Sequence, residues 1–198
     1  MSTREEVRVG NAIAIAAVEI YQRLENGEKL REDGFFDEKQ AGRSDATEVA
    51  ESVLLKAQRE PEEKKIEYMG YLLASIAFNP QISVHMVHQL SKITEQLTYR
   101  QLCILKLSTE TDKFGLRDRD YRGQGPLARK LYQLLYEYMD LYRRDFIIFG
   151  IGTKDVSGLA DINPGIVGVQ GIGVDLFDLM KLILIPDEDI FPIAEQLK

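Results

Sequence analysis

The stretch NPGIVGVQGIGVDLFDLMKL, residues 163–182, decides between two fold classes for this chain. Its glycines precede an amphipathic segment, as in a phosphate-binding loop that opens a helix, or in a simple turn. A dinucleotide-binding loop requires G-x-G-x-x-G between a strand and a helix of a βαβ unit. Here Gly168, Gly171 and Gly173 have the reverse spacing, and Asp175 would repel a phosphate. The stretch therefore predicts a turn with close backbone approach, and then a helix start.

Elsewhere the apolar residues recur with helical periodicity, and this pattern predicts eight helices. The first runs over about residues 4–26 and is apolar on most sides in its middle, which is typical of a deeply buried helix. Two short apolar runs, residues 146–149 and 165–169, are expected to pair as antiparallel strands, with residues 153–164 as a mobile tip.

These elements predict a mainly α-helical fold. We expect a helical N-terminal domain, residues 1–97, packed on a C-terminal domain, residues 98–198, that contains a short β-hairpin. The two would share one continuous core, because 198 residues with 44% hydrophobic content suit a single globular unit.

Charge and cysteine content exclude several functions. The net charge of −7 disfavours nucleic acid as a partner, because phosphate neutralisation usually requires a basic surface. A single cysteine, Cys103, excludes an intrachain disulfide. The N-terminus lacks the pattern of a signal peptide, and no apolar run is long enough to span a bilayer. We therefore expect a cytoplasmic protein that has no membrane partner.

The polar loop LRDRDYRG, residues 116–123, is the best local candidate for a binding surface. Its carboxylates are suited to a hard cation and its arginines to a phosphate or carboxylate. The alternative is a solvated loop whose charges compensate one another. The candidate residues are Arg117, Asp118, Arg119, Asp120, Tyr121 and Arg122.

No catalytic constellation is evident in the sequence. His85 and His88 lie three residues apart, but a third metal ligand is not obvious, so two half-exposed histidines are the favoured interpretation. Cys103 lies among apolar residues and has no neighbour that would activate a thiolate. We therefore expect no catalytic residue, no metal and no cofactor.

The sixth predicted helix suggests self-association. Tyr132, Tyr136 and Met139 form a second apolar stripe beside the one expected to face the core. Aromatic residues and methionine are enriched at contact surfaces. We expect a two-fold homodimer that uses the first and sixth helices, with cover from the same chain as the alternative.

Residues 97–184 resemble MarR-like winged-helix regulators. LTYRQLCILKL resembles their second helix, LYRRDFIIF the end of a recognition helix running into a wing strand, and GIVGVQGIGVDLFDLMKL the returning strand and the next helix. The resemblance implies a winged-helix-like C-terminal domain. The whole chain also resembles a bacterial family of helical proteins of unknown function.

Three hypotheses about function follow. The first is a non-enzymatic module for protein interaction or regulation, in a pathway that the sequence does not indicate. The alternative from another class is a winged-helix nucleic-acid-binding regulator. A weaker alternative is a metal-dependent hydrolase that uses the loop of residues 116–122.

Overall fold

The structure is a computed structural model that describes residues 3–39, 42–150 and 156–198. It is mainly helical with a small antiparallel sheet, as the sequence predicts. Within the described residues the α-helices are α1 (Thr3–Glu25), α2 (Asp45–Arg59), α3 (Glu63–Ile76), α4 (Val84–Gln96), α5 (Tyr99–Thr109), α6 (Thr111–Phe114), α7 (Arg129–Arg143), α8 (Ile172–Leu179) and α9 (Asp187–Ala194). The strands are β1 (Ile147–Phe149) and β2 (Val167–Val169).

The chain divides into two compact units. Unit 1 comprises Met1–Tyr99 with Leu179–Lys181, and unit 2 comprises Arg100–Asp178 with Leu182–Lys198. The domain boundary expected between residues 97 and 98 stays a prediction, since compactness alone does not show that either part folds by itself.

In unit 1, helix α1 packs on α3 and α2, and α2 also contacts α4. The close contact of α1 with α3 depends on Gly70, where an added Cβ would lie 2.9 Å from the Ala12 carbonyl oxygen. The loop after α1 is held by the buried Arg31, whose guanidinium donates to the carbonyl oxygens of Ile76 at 3.4 Å and Ile82 at 3.1 Å. The end of α3 is thereby fixed to this loop.

In unit 2, the side chains of helix α5 from residue 101 to residue 108 are all buried. The strands pair antiparallel, with Ile148 opposite Gly168, as the apolar runs predict. The single-turn helix α6 was not expected in this polar segment. Gly115, in the left-handed conformation at φ 61°, ends it.

The glycine-rich stretch forms a turn with close backbone approach, as interpreted above. An added Cβ at Gly173 would lie 2.2 Å from the Phe146 carbonyl oxygen, and one at Gly171 would lie 3.2 Å from that of Asp145. The glycines therefore let the start of α8 pack directly against the start of β1.

Two details differ from the expected C-terminal fold. The segment before β2, which the sequence predicts to be a mobile tip, contains two single-turn 3₁₀ helices, Leu159–Asp161 and Pro164–Ile166. Its mobility stays a prediction, and residues 153–155 lie outside the described residues. Helix α9 begins earlier than expected, so Pro192 lies inside it and not in its first turn. Beyond the hairpin, the resemblance to winged-helix regulators stays a prediction.

Candidate interaction surfaces

Part of the loop of residues 116–122 is bonded to itself. The Arg117 guanidinium donates to the carbonyl oxygens of Arg119 at 3.0 Å and Asp120 at 2.9 Å, and lies 4.1 Å from the centre of the Tyr121 ring. Tyr121 is buried, and its burial raises the pKa of its hydroxyl. This arginine therefore stabilises the loop's own conformation.

The rest of the loop binds the segment that precedes β2. Arg122 Nε donates to Asp161 Oδ1 at 2.6 Å, and Asn163 Nδ2 donates to Asp118 Oδ1 at 3.2 Å. The Arg122 guanidinium lowers the pKa of Asp161, and bonds from the hydroxyl and amide of Ser157 and from the Gly158 amide lower it further. These contacts join the described part of the predicted tip to the loop of residues 116–122.

A small cavity of about 150 Å³ lies between these two segments. Its polar lining includes Asp120, Arg122, Asp161 and Asn163. Arg122 and Asp161 are paired with each other, and the Asp120 carboxylate accepts the Arg122 amide at 3.1 Å. Of the six predicted binding residues, the structure thus gives Arg117, Asp118, Asp120, Tyr121 and Arg122 structural contacts, and Arg119 takes part through its carbonyl oxygen.

Both histidines lie on α4, in the described part of the chain. His88 Nε2 lies 2.9 Å from Glu48 Oε1, and His85 is exposed. Within residues 3–39, 42–150 and 156–198, no cluster of three or more His, Cys, Asp or Glu is arranged to hold a metal ion.

The α7 surface agrees with expectation only in part. Tyr132 and Tyr136 are exposed, but Met139 is buried, so its prediction as an interface residue is wrong. Helix α7 contacts both β1 and the 3₁₀ turn at Leu159–Asp161. The tyrosines alone remain as a candidate contact.

The acidic residues of α7 are engaged within unit 2. Glu137 accepts Arg100 Nε at 2.8 Å, and Asp140 accepts Gln101 Nε2 at 2.8 Å. These carboxylates stabilise the contact between α7 and the start of α5.

Helix α1 is far more exposed to solvent than its apolar sequence predicts. Its buried residues are Ala12, Ala16 and Glu19, whereas five large apolar side chains between residues 7 and 24 are 44–61% exposed. The prediction of a deeply buried helix is therefore wrong. The exposed side chains are Val7, Ile13, Val18, Tyr21 and Leu24.

The charged residues in the same part of α1 form ion pairs with other residues of unit 1. Arg8 pairs with Glu63 at 2.7 Å, and Arg23 pairs with Glu28 at 2.6 Å and lies over the Phe78 ring. The buried Glu19 pairs with Lys181. An ordinary surface helix has its charges in water and its apolar stripe on the core. Here the solvent-facing side carries no charged residue between positions 7 and 24.

An apolar groove adjoins this exposed side of α1. One part, of about 660 Å³, lies between α1 and α2, and the next, of about 340 Å³, reaches the exposed Phe36. Both parts share Ala46, Ala50 and Leu54. We call the groove and the exposed side of α1 together the apolar surface of unit 1. Its main groove residues are Val9, Ile13, Phe36, Ala50, Leu54 and Leu55.

Sequence reasoning missed this surface because a helical wheel does not say which of two apolar sides the chain covers. The available signal was the position of Ala12 and Ala16 on the same side as Arg8 and Glu19. Small residues flanked by charges suit a close helix contact bordered by ion pairs.

None of the helices in the described ranges combines the length and the apolar character needed to cross a membrane. Comparisons of the chain with models of protein families, with curated proteins and with solved structures found no match.

Proposed function

We propose that this protein is a non-enzymatic protein-interaction module and that the apolar surface of unit 1 is its docking surface. The observation that carries the proposal is the inverted burial of α1, with large apolar side chains in water and charged ones against the chain. Contiguous exposed apolar surface is unfavourable in water and marks contact sites.

The shape of the surface also supports a protein partner. The groove between α1 and α2 is open, and its lining side chains are mostly aliphatic. An apolar side of a partner helix fits such a groove, as in other helix-in-groove recognition. A small polar substrate would find few hydrogen-bonding groups there.

Site-specific photo-crosslinking tests this proposal. Ile13, which lies on the exposed side of α1 and lines the groove, is replaced by a photo-crosslinking amino acid in the cells that make the protein. We expect one discrete protein adduct, because docking would hold a partner against this position. Absence of an adduct at both Ile13 and Leu55 would contradict the proposal.

A matched control separates docking from random collision. The same amino acid at Gln133, which is exposed on α7, should give no adduct. Ala17→Glu, which adds a charge beside Ile13, should remove the Ile13 adduct without unfolding the protein, since Ala17 is exposed. An adduct that survives Ala17→Glu would mean that the contact is not made by the apolar surface.

A further inference from the structure

We infer that the occupant of the exposed side of α1 is a second copy of this chain, with the two α1 helices packed antiparallel about a two-fold axis. The inference rests on the proposed function, since it names the partner of the same surface. It is carried by the spacing, size and charge of the exposed residues of α1.

The exposed residues of α1 have the spacing of a helix–helix contact. They alternate at intervals of three and four along the helix, which keeps them on one side over about 26 Å. The positions that form this row are Val7, Gly10, Ala14, Ala17, Tyr21 and Leu24, and all are exposed. Ile13 and Val18 flank the row on its two sides.

The row is complementary to itself when two copies run in opposite directions. With the two-fold axis between positions 15 and 16, Val7 faces Leu24 of the partner subunit and Ala14 faces Ala17 of the partner subunit. Gly10 then faces the partner subunit's Tyr21, so the largest side chain lies over the smallest. Such matching of large with small residues is what close packing of two helices requires.

The charges at the ends of the row also favour the antiparallel arrangement. Arg4 and Glu25 are both exposed and lie just outside the two ends of the apolar row. In the antiparallel pair, Arg4 lies beside Glu25 of the partner subunit, and the two-fold axis generates this contact twice. A parallel pair would instead place like charges together.

The presence of Gly10 inside α1 independently supports a close contact with a second chain. A glycine inside a helix destabilises it by roughly 0.5–1 kcal/mol relative to alanine. Gly70 has a reason within the chain, because α1 passes 2.9 Å from the position of its missing Cβ, but an added Cβ at Gly10 would meet nothing within 4 Å. Close approach of a second chain supplies the reason at Gly10.

Light scattering after size exclusion tests the inference on the purified full chain. At roughly 100 µM chain we expect a mass twice that of the monomer. Ala14→Glu should weaken dimerisation by at least about a hundredfold, because two carboxylates enter the apolar contact. Circular dichroism checks that this variant folds, which we expect because Ala14 is exposed and glutamate favours helix.

A charge exchange tests the orientation of the two helices. Arg4→Glu should weaken dimerisation by about tenfold, since it sets like charges side by side twice. Adding Glu25→Arg to the same chain should restore the original affinity. If the double variant is weaker than Arg4→Glu alone, the antiparallel register is wrong.

The matched control is Tyr136→Glu on α7, which should leave dimerisation unchanged because Tyr136 is outside the row. Three results would each overturn the inference. They are a monomeric wild-type chain, a dimer that withstands Ala14→Glu, and a dimer that Tyr136→Glu dissociates. If the wild-type chain is monomeric but the Ile13 crosslink captures a different protein and Ala17→Glu abolishes it, the inference fails and the proposed function stands. If the chain is monomeric and no crosslink forms, both fail.

Discussion

Helices α1 and α5 have similar apolar sequences but opposite surroundings. In α5 every side chain from residue 101 to residue 108 is buried, whereas α1 buries three residues of its 23. Burial on all sides explains why five of the six residues from position 102 to position 107 of α5 are apolar. The exposed apolar side chains of α1 have no such explanation within the chain, and this difference supports the proposed docking surface.

The two helices also differ in how they hold charge. In α5 the buried Lys106 donates to the Ile185 carbonyl oxygen at 2.6 Å and to Asp187 at 2.9 Å, so its charge is neutralised inside unit 2. In α1 the pairs of Arg8 and Arg23 are partly exposed and leave one side of the helix free of charge. Exposed pairs contribute little stability.

Truncation of one leucine in each helix gives the largest expected contrast. Leu105→Ala should lower the free energy of unfolding by about 2–5 kcal/mol, because Leu105 is 0% exposed and its loss leaves a cavity. Leu24→Ala, which changes the same atoms at an exposed site, should cost less than about 0.5 kcal/mol.

Urea unfolding at a concentration where the chain is monomeric measures both variants. Equal losses for the two leucines would contradict the contrast between the helices. A large loss at Leu24 alone would mean that the exposed side of α1 is covered within the monomer.

The sequence predicts the elements better than their surroundings. Periodicity identifies the helices, and the two apolar runs identify the two strands that pair antiparallel, because each of these patterns is local. The cover of α1 is not local: Glu19 finds its partner at Lys181, 162 residues away. The burial of Met139 is not visible locally either, since β1 and the 3₁₀ turn that contact α7 follow it in the chain.

The loop of residues 116–122 also shows that the sequence does not reveal which distant residues a segment contacts. The charges of residues 116–122 are visible in the sequence, but their partners Asp161 and Asn163 belong to a segment 39–45 residues later. A cluster of exposed charges and a self-bonded loop have the same composition, so only the fold distinguishes them.

Substitutions at Gly70 and Gly10 test the two sides of α1, and we expect smaller changes in stability from them than from Leu105→Ala. Gly70→Ala should destabilise the protein by about 1–3 kcal/mol, because the new methyl group would press on Ala12 and Ile15 of α1. Gly10→Ala should stabilise the monomer by about 0.5–1 kcal/mol, because it removes backbone freedom where nothing is in the way. Thermal unfolding of the dilute chain measures both, and a destabilised Gly10→Ala monomer would mean that this side of α1 is crowded within the chain.

The smallest expected effect on stability comes from substituting Asp187, which pairs with the buried Lys106 of α5. Lys113, and then Lys106, lower the pKa of Asp187 below its usual range. A carboxyl whose pKa is lowered by folding stabilises the folded state fully above its unfolded pKa of about 4, and that stability is lost as the pH falls through the lower folded pKa. Asp187→Asn should therefore be less stable than the wild type at neutral pH and should lose less on acidification.

Urea midpoints from neutral pH to about pH 3 measure this difference. Parallel curves for wild type and Asp187→Asn would show that Asp187 does not stabilise the charge of Lys106. The buried lysine of α5 would then depend on the Ile185 carbonyl oxygen and on Glu110, whose carboxylate lies 3.6 Å away.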